Sequence, residues 1–296
     1  MWVYLNMEDA MTLDRRLHAF RADLADEALR GQVEAARFVT GVPAQVGVPV
    51  VPLRSRPDPD CGIDTELLLG EAVRVFERAD GWAWVQSCGD GYVGYLPTDV
   101  LREPEETTHI ICIQRTFLYP RPELRHPPVF SLSMGSRVRI VGATETRGTA
   151  YLVLPDGTAL IRSHCRPLAE APPEDYVDVA ARFLETPYLW GGRSGFGIDC
   201  SALVQLSLMM VGQSAPRDSD MQAAIGTEIT REELRRGDLV FWKGHVGIME
   251  DAETLLHANG HTMTVARENL NAAIERIGWL YSRPTGFRRL APFTRS

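Results

Sequence analysis

The chain has 296 residues, 45% hydrophobic and 24% charged. That is globular composition and excludes a disordered, collagen-like or coiled-coil chain; at about 100–200 residues per domain it predicts two or three domains. No apolar run is long enough for a membrane-spanning helix, and 31 Lys and Arg against 39 Asp and Glu leave a net charge of −8, which opposes nucleic acid, anionic membrane or anionic wall polymer as a partner, because phosphate binding needs clustered positive charge.

Five cysteines, Cys61, Cys88, Cys112, Cys165 and Cys200, are scattered, with no C-x-x-C pair. The pattern argues against a disulfide framework and for a reducing compartment. The start, Met1-Trp2-Val3-Tyr4-Leu5, runs at once into Asn6, Glu8 and Asp9. A secretory signal has a basic start and a longer apolar stretch, so the expectation is a cytoplasmic protein, with Met7 or Met11 as alternative starts.

Residues 1–40 read as an N-terminal helical segment, with Leu13, Leu17, Phe20, Leu24 and Leu29 at three-to-four spacing over 8–38. From 41 the texture changes to short alternating runs punctuated by Pro and Gly, at 46–51, 72–76, 83–85 and 92–96, which predict small antiparallel strands. The texture then repeats. The run from Thr65 to Phe76 parallels that from Phe130 to Val141, and Asp90-Gly91 parallels Asp156-Gly157, an offset of 65 or 66 residues. The repeat predicts two copies of one small barrel, at 41–104 and 105–172. Gly-x-x-Val-x-Val, Trp-x-x-Val and Asp-Gly-Tyr-x-Gly-Tyr-Leu resemble bacterial SH3-like (SH3b) barrels. The second copy is degenerate, with Thr158 and Leu160 near the places of Tyr92 and Tyr95.

Residues 173–296 read as an α+β domain, helices first and antiparallel strands after. Tyr176, Val179, Ala180, Phe183 and Leu184 mark an amphipathic helix ending at Thr186-Pro187. A Gly-rich loop spans 191–197. It lacks the spacing of a nucleotide-binding loop, and its expected role is to bring backbone and Tyr188 close to Cys200. Asp199 is a good N-cap for a helix that is apolar nearly all round through 202–211. Thr230-x-x-Glu233 is a capping box closed by Gly237, and strands are expected at 239–242, 246–250 and 254–258.

Cys200 falls in the first turn of that capped helix, where the helix dipole and unpaired N–H groups favour a thiolate. A small buried residue is the competing reading, and position alone leaves the two even. A base is available. A turn centred near Asp251-Ala252 pairs residues whose numbers sum to about 502–504, so His245 and His257 lie opposite or nearly opposite on one sheet face. That suits a base and its orienting group; each histidine alone would read as a polar strand-end residue. Asn259, two residues on, is a rival orienting group. Cys200, His245, His257 and His261 could instead hold zinc, but only His257-x₃-His261 has ligand-pair spacing and no second pair exists.

Thr186-Pro-Tyr-Leu-Trp-Gly-Gly192, Gly197-Ile-Asp-Cys-Ser201, Arg236-Gly-Asp-Leu-Val-Phe241, Gly244-His-Val-Gly-Ile248 and Leu256-His-Ala258 resemble the NlpC/p60 family of cysteine peptidases, which cut bacterial cell-wall peptides. The resemblance implies a circularly permuted papain-like core and no cofactor, with Cys200 as nucleophile, His245 as base and His257 as the orienting residue. Tyr188 and the backbone N–H of the Cys200 turn would stabilise the oxyanion, supported by Asp199 and Ser201, and Trp190 would contact substrate. The barrels and the run Pro216-Arg-Asp-Ser219-Asp-Met-Gln222 resemble the dipeptidyl-peptidase VI branch. That implies a small murein peptide as partner, cut at the γ-D-glutamyl–diamino acid bond when its L-Ala amine is free. A buried ammonium needs a carboxylate opposite it. Asp218 would supply one, Ser219 a further acceptor, and the first barrel a tyrosine and an acidic residue, mapped to Tyr92 and to Glu66, with Glu71 as the alternative. Without the family, Asp218 reads as a solvated loop carboxylate and Tyr92 as a barrel-core ring. An exported hydrolase of intact wall and a non-catalytic wall-peptide binding protein remain as rival functions.

Overall fold

The computed structural model describes residues 13–172 and 175–291. The chain start, with Met7 and Met11, lies outside the described residues. Among the described residues no helix is long and apolar enough to cross a membrane.

The N-terminal helix expected over 8–38 is absent from 13–38. That stretch is a run of turns with a two-residue strand pairing, Ala25–Asp26 against Phe38–Val39, and one 3₁₀ turn, Glu27–Leu29. Aspartates compete with helix by bonding nearby backbone N–H groups. Asp14 takes the N–H of Arg16 and Asp26 that of Ala28. The apolar residues are satisfied without a helix: Ala19 and Leu24 pack on Phe76, Trp84 and Val93, the outer face of the first β unit. The Arg21 guanidinium stacks on Trp84 at 4.4 Å and pairs with Glu77 at 2.6 Å.

The first β unit is a five-stranded antiparallel sheet in the order Val93–Pro97, Trp82–Ser87, Ala72–Ala79, Val42–Val46, Leu101–Arg102, closed by the hairpin Val50–Leu53 with Thr65–Leu68. Val46, Leu53, Leu67, Val85 and Leu96 fill its core. The second unit repeats the hairpin residue for residue. Val50↔Leu68 and Leu53↔Thr65 recur 65 positions later as Arg115↔Ser133 and Leu118↔Phe130. A two-residue turn at Asp80-Gly81 has its counterpart at Arg147-Gly148, all four residues at positive φ. The second sheet is split into two three-stranded pieces. Its strand Gly142–Thr146 is almost wholly exposed, so fewer side chains hold the halves together.

The C-terminal domain has helices α1 (Tyr176–Ala181), α2 (Cys200–Met210), α3 (Ser219–Gln222) and α4 (Leu270–Leu280). Its six-stranded antiparallel sheet runs Thr227–Glu228, Gly286–Arg289, Asp238–Trp242, His245–Met249, Thr254–Asn259, Thr264–Asn269. As expected, α2 is buried nearly all round: Met209 alone of its residues is not buried. One sheet face, with Val246, Ile248, Leu256 and Ala258, packs on α2, and the other, with Val240, Met249 and Leu255, on α4. The capping box at Thr230 and Glu233 forms, but over a single 3₁₀ turn.

The Gly-rich loop is wedged between the two β units. A Cβ on Gly191 would stand 2.2 Å from the Ile63 carbonyl oxygen of the first unit, and one on Gly195 2.2 Å from the Gln114 carbonyl oxygen of the second. Gly191 also has φ +75°, so no other residue fits there without strain. The glycines let two walls close on the loop that leads into Cys200.

Candidate active site

Asp199 caps α2 by accepting the Ala202 N–H at 2.8 Å, and this puts Cys200 in the first turn. The same carboxylate accepts the Gly191 N–H at 3.0 Å and meets Arg217 in a two-pronged pair at 3.0 and 2.6 Å. Arg217 is 1% exposed. It also donates to Ser201 Oγ at 2.9 Å and, across the domain boundary, to Thr65 Oγ1 of the first β unit at 2.7 Å. A buried guanidinium needs this full set of acceptors, and its charge offsets that of Asp199 beside the sulfur.

The expected ready-made thiolate is not favoured by its surroundings. Burial, then the Asp199 charge, push the Cys200 thiol up to about 12; the Val246 N–H, Arg217 and the Ser201 N–H pull the other way without prevailing. The helix-terminus argument considered one favourable field and not the loss of water around the sulfur. These surroundings favour the thiol of Cys200 over the thiolate in the free protein. Its sulfur lies against the backbone N–H of Val246, one residue along the strand from His245.

His245 and His257 stand side by side on the sheet, as the index sum predicted. The observed pairs, Ile248↔Leu256 and Met249↔Leu255, sum to 504, so the two histidines are diagonal neighbours. His245 Nε2 and His257 Nδ1 are 2.9 Å apart. On the far side, His257 Nε2 is 3.3 Å from Glu268, off the line of a good hydrogen bond. Glu268 is in turn paired with Arg276 of α4 at 2.5 Å. Burial raises the Glu268 carboxyl, but His257 and Arg276 outweigh it and hold it at about 2. A fixed carboxylate there favours the proton on His257 Nε2. His257 Nδ1 then accepts from His245 Nε2–H, and His245 Nδ1 keeps its lone pair. Burial first, and then repulsion by the His257 ring, hold His245 well below the ordinary imidazole range, so it is an unprotonated base at neutral pH.

Asn259 is not the orienting group. Its Oδ1 accepts from the backbone of His261 and Thr262 at 3.0 and 2.9 Å and shapes that turn. His261 is exposed, and among the described residues no three His, Cys, Asp or Glu side chains are arranged to hold a metal ion.

A cleft of about 290 Å³ runs from Cys200, Tyr188 and Trp190 to Asp218, Ser219, Tyr92 and Asp64. Trp190 forms an exposed rim. Tyr188 is half-buried, and burial, with the Asp199 carboxylate nearby, raises its phenol, keeping it a donor. Tyr92 has its ring in the barrel core, as the plain sequence reading had it, and its hydroxyl at the cleft, donating to Asp218 Oδ2 at 3.1 Å. Glu66 is a correction. Its carboxylate is buried and accepts the Arg193 backbone N–H at 2.8 Å, while Glu71 pairs with the Arg193 guanidinium at 3.0 Å. Both brace the Gly-rich loop. The first-unit carboxylate that lines the cleft is Asp64, two residues before Glu66 at the turn into the strand. Burial and then Asp218 raise its pKa.

Arg16, Asp64, Arg217 and Glu268 are the residues that sequence reasoning missed. Arg217 lies inside the run at 216–222, where the sequence sets attention on its neighbour Asp218 instead.

A family model described as the NlpC/P60 family matches residues 185–277, and one described as a bacterial dipeptidyl-peptidase Sh3 domain matches 53–101. A Lysinibacillus sphaericus protein named dipeptidyl-peptidase 6 is 28% identical over 262 residues, 77% of this chain and 96% of that protein. A Bacillus cereus protein named gamma-D-glutamyl-L-lysine dipeptidyl-peptidase is 28% identical over 204 residues, 61% of this chain, and the match spans 60% of that protein's own length. The crystal structure of an NlpC/P60 family protein from Bacillus cereus is alike in fold, with a TM-score of 0.72 at 23% identity over 85% of this chain and all of that one.

Proposed function

The chain belongs to the NlpC/P60 family of cysteine peptidases, and on that premise we propose that it is a dipeptidyl-peptidase of released murein peptides. It cuts the γ-D-glutamyl–L-diamino acid bond of peptides whose L-Ala amine is free, and yields L-Ala-D-Glu for recycling. The observation that carries the reading is the group of side chains at the far end of the cleft. Asp64 and Asp218 face one small space with the Tyr92 hydroxyl, which suits an ammonium, whereas an acylated amine brings no charge to the Asp64 carboxylate or to Asp218 Oδ1. The names of the relatives support the same bond. The degenerate second unit is read as a diverged SH3-like copy with a scaffold role, supported by its matching hairpin register.

In this mechanism the γ-carbonyl carbon sits over the Cys200 sulfur. As sulfur attacks, its proton passes to His245 Nδ1, and the oxyanion takes hydrogen bonds from the Cys200 N–H and the Tyr188 hydroxyl. His257, fixed by Glu268, steadies the imidazolium that forms. The C–N bond breaks as His245 gives its proton to the departing amine. Water, deprotonated by His245, then releases L-Ala-D-Glu and restores the thiol.

The test is to incubate the protein with L-Ala-γ-D-Glu-L-Lys and identify products by mass spectrometry. L-Ala-D-Glu and lysine are expected, and Cys200→Ala should lower kcat by about 10⁴-fold or more. Cleavage at another bond, or full turnover by the variant, contradicts the reading.

A further inference from the structure

Asp218 is engaged on one side only. Oδ2 accepts from the Tyr92 hydroxyl at 3.1 Å and from Arg16 Nη1 at 2.8 Å. Among the described residues nothing bonds Oδ1, and Asp218 gives no side-chain cap to α3. The Arg16 guanidinium is fully used. Nε meets Asp14, Nη1 meets Asp218 and Asp220, and Nη2 meets Asp14 at 2.7 Å and Asp220 at 2.8 Å. All three of its nitrogens meet carboxylates, two of which, Asp218 and Asp220, line the cleft with it. The segment that carries it is pinned to the first β unit at Arg16 itself and at the next residue. Val93 N–H donates to the Arg16 carbonyl at 2.7 Å, and Gln86 Nε2 to that of Leu17 at 2.7 Å. Arg16 is a built wall of the cleft and not a passing surface contact.

We infer that Arg16 is the specificity-determining residue that ends the cleft one residue before the glutamate, by filling the next cation site outward with a guanidinium of the protein itself. The inference rests on the function proposed above. An ammonium bound between Asp64 and Asp218 Oδ1 belongs to a peptide with one residue before the glutamate. One more residue carries an ammonium outward by about 3.5 Å, into the ring of Asp14, Asp218 and Asp220 that Arg16 occupies. Such a peptide meets a fixed positive charge and finds no free carboxylate, so it is rejected by repulsion as well as by bulk. Without the guanidinium the same three carboxylates become a second ammonium site. Arg16 thus separates release of a dipeptide from release of a tripeptide.

The experiment compares kcat/KM of wild type, Arg16→Ala and Arg16→Lys on L-Ala-γ-D-Glu-L-Lys, Gly-L-Ala-γ-D-Glu-L-Lys and N-acetyl-L-Ala-γ-D-Glu-L-Lys. Wild type should prefer the first peptide over the glycine-extended one by about 100-fold or more, and Arg16→Ala by about tenfold or less. The acetylated peptide should stay poor for Arg16→Ala, because it brings no cation to either site. Arg16→Lys should keep the wild-type preference. Arg16→Gln, which keeps amide donors but no charge, guards against slackening of the segment and should behave as Arg16→Ala. The inference is overturned if Arg16→Ala rejects the extended peptide as wild type does, or accepts the extended and acetylated peptides alike. Wild type cutting the free and acetylated peptides equally would instead remove the amine pocket, and with it the proposed function, whatever Arg16 does.

Discussion

In the first β unit, the turn before the second hairpin strand puts Asp64 in the cleft and Thr65 on the Arg217 guanidinium. Sixty-five positions later, in the second unit, the same hairpin carries Val129 and Phe130, both exposed. Tyr92 reaches Asp218, and the residue 66 positions on in the second unit is Thr158. Both units nevertheless brace the C-terminal domain. The first holds Arg193 through Glu66 and Glu71. The second receives the Gly195 N–H on Ser133 Oγ at 2.9 Å and bonds Thr186 through Gln114. One backbone plan therefore serves two ends: both units carry side chains that brace the C-terminal domain, and the first also carries side chains that line the cleft.

The comparison can be broken most sharply at the paired turn. Asp64→Asn removes a carboxylate opposite the ammonium and should lower kcat/KM on L-Ala-γ-D-Glu-L-Lys by about 100-fold or more, mostly through KM. Val129→Asn, at the matching place in the second unit, should stay within about twofold. Equal losses would mean that the second unit also meets the substrate. Next in size, Tyr92→Phe deletes one donor to Asp218 and should raise KM by about tenfold, while Thr158→Val leaves the kinetics unchanged. The smallest contrast is between two thiols. Burial pushes Cys165 of the second unit, like Cys200, up to about 12. Without substrate, both should react slowly with iodoacetamide at neutral pH and faster as pH rises toward that value, because only the thiolate is alkylated. Fast alkylation of Cys200 down to pH 5 would show a preformed thiolate–imidazolium pair and sharpen the difference between the two.

Local signals revealed the repeat, the capped helix at Asp199 and the two histidines, because N-cap chemistry and strand alternation depend on near neighbours in the chain. The roles of residues joined across domains were hidden. Arg217 reads as a surface arginine until Thr65 and Asp199 enclose it, and Glu268 as an exposed strand residue until His257 and Arg276 flank it. Glu66 and Asp64 are two apart, and only the bend into the strand decides which one faces the cleft. Arg16 was obscured by a helix that never forms, since leucines at helical spacing serve equally well as separate anchors on a neighbouring sheet. The Cys200 thiol was misjudged because burial, the larger effect, is invisible from the helix cap alone.

The most direct test of the account is the rate of wild-type protein on L-Ala-γ-D-Glu-L-Lys against its N-acetylated copy at equal concentration. An amine pocket built by the first β unit predicts that the free peptide is cut faster by about 100-fold or more. Equal rates would contradict it.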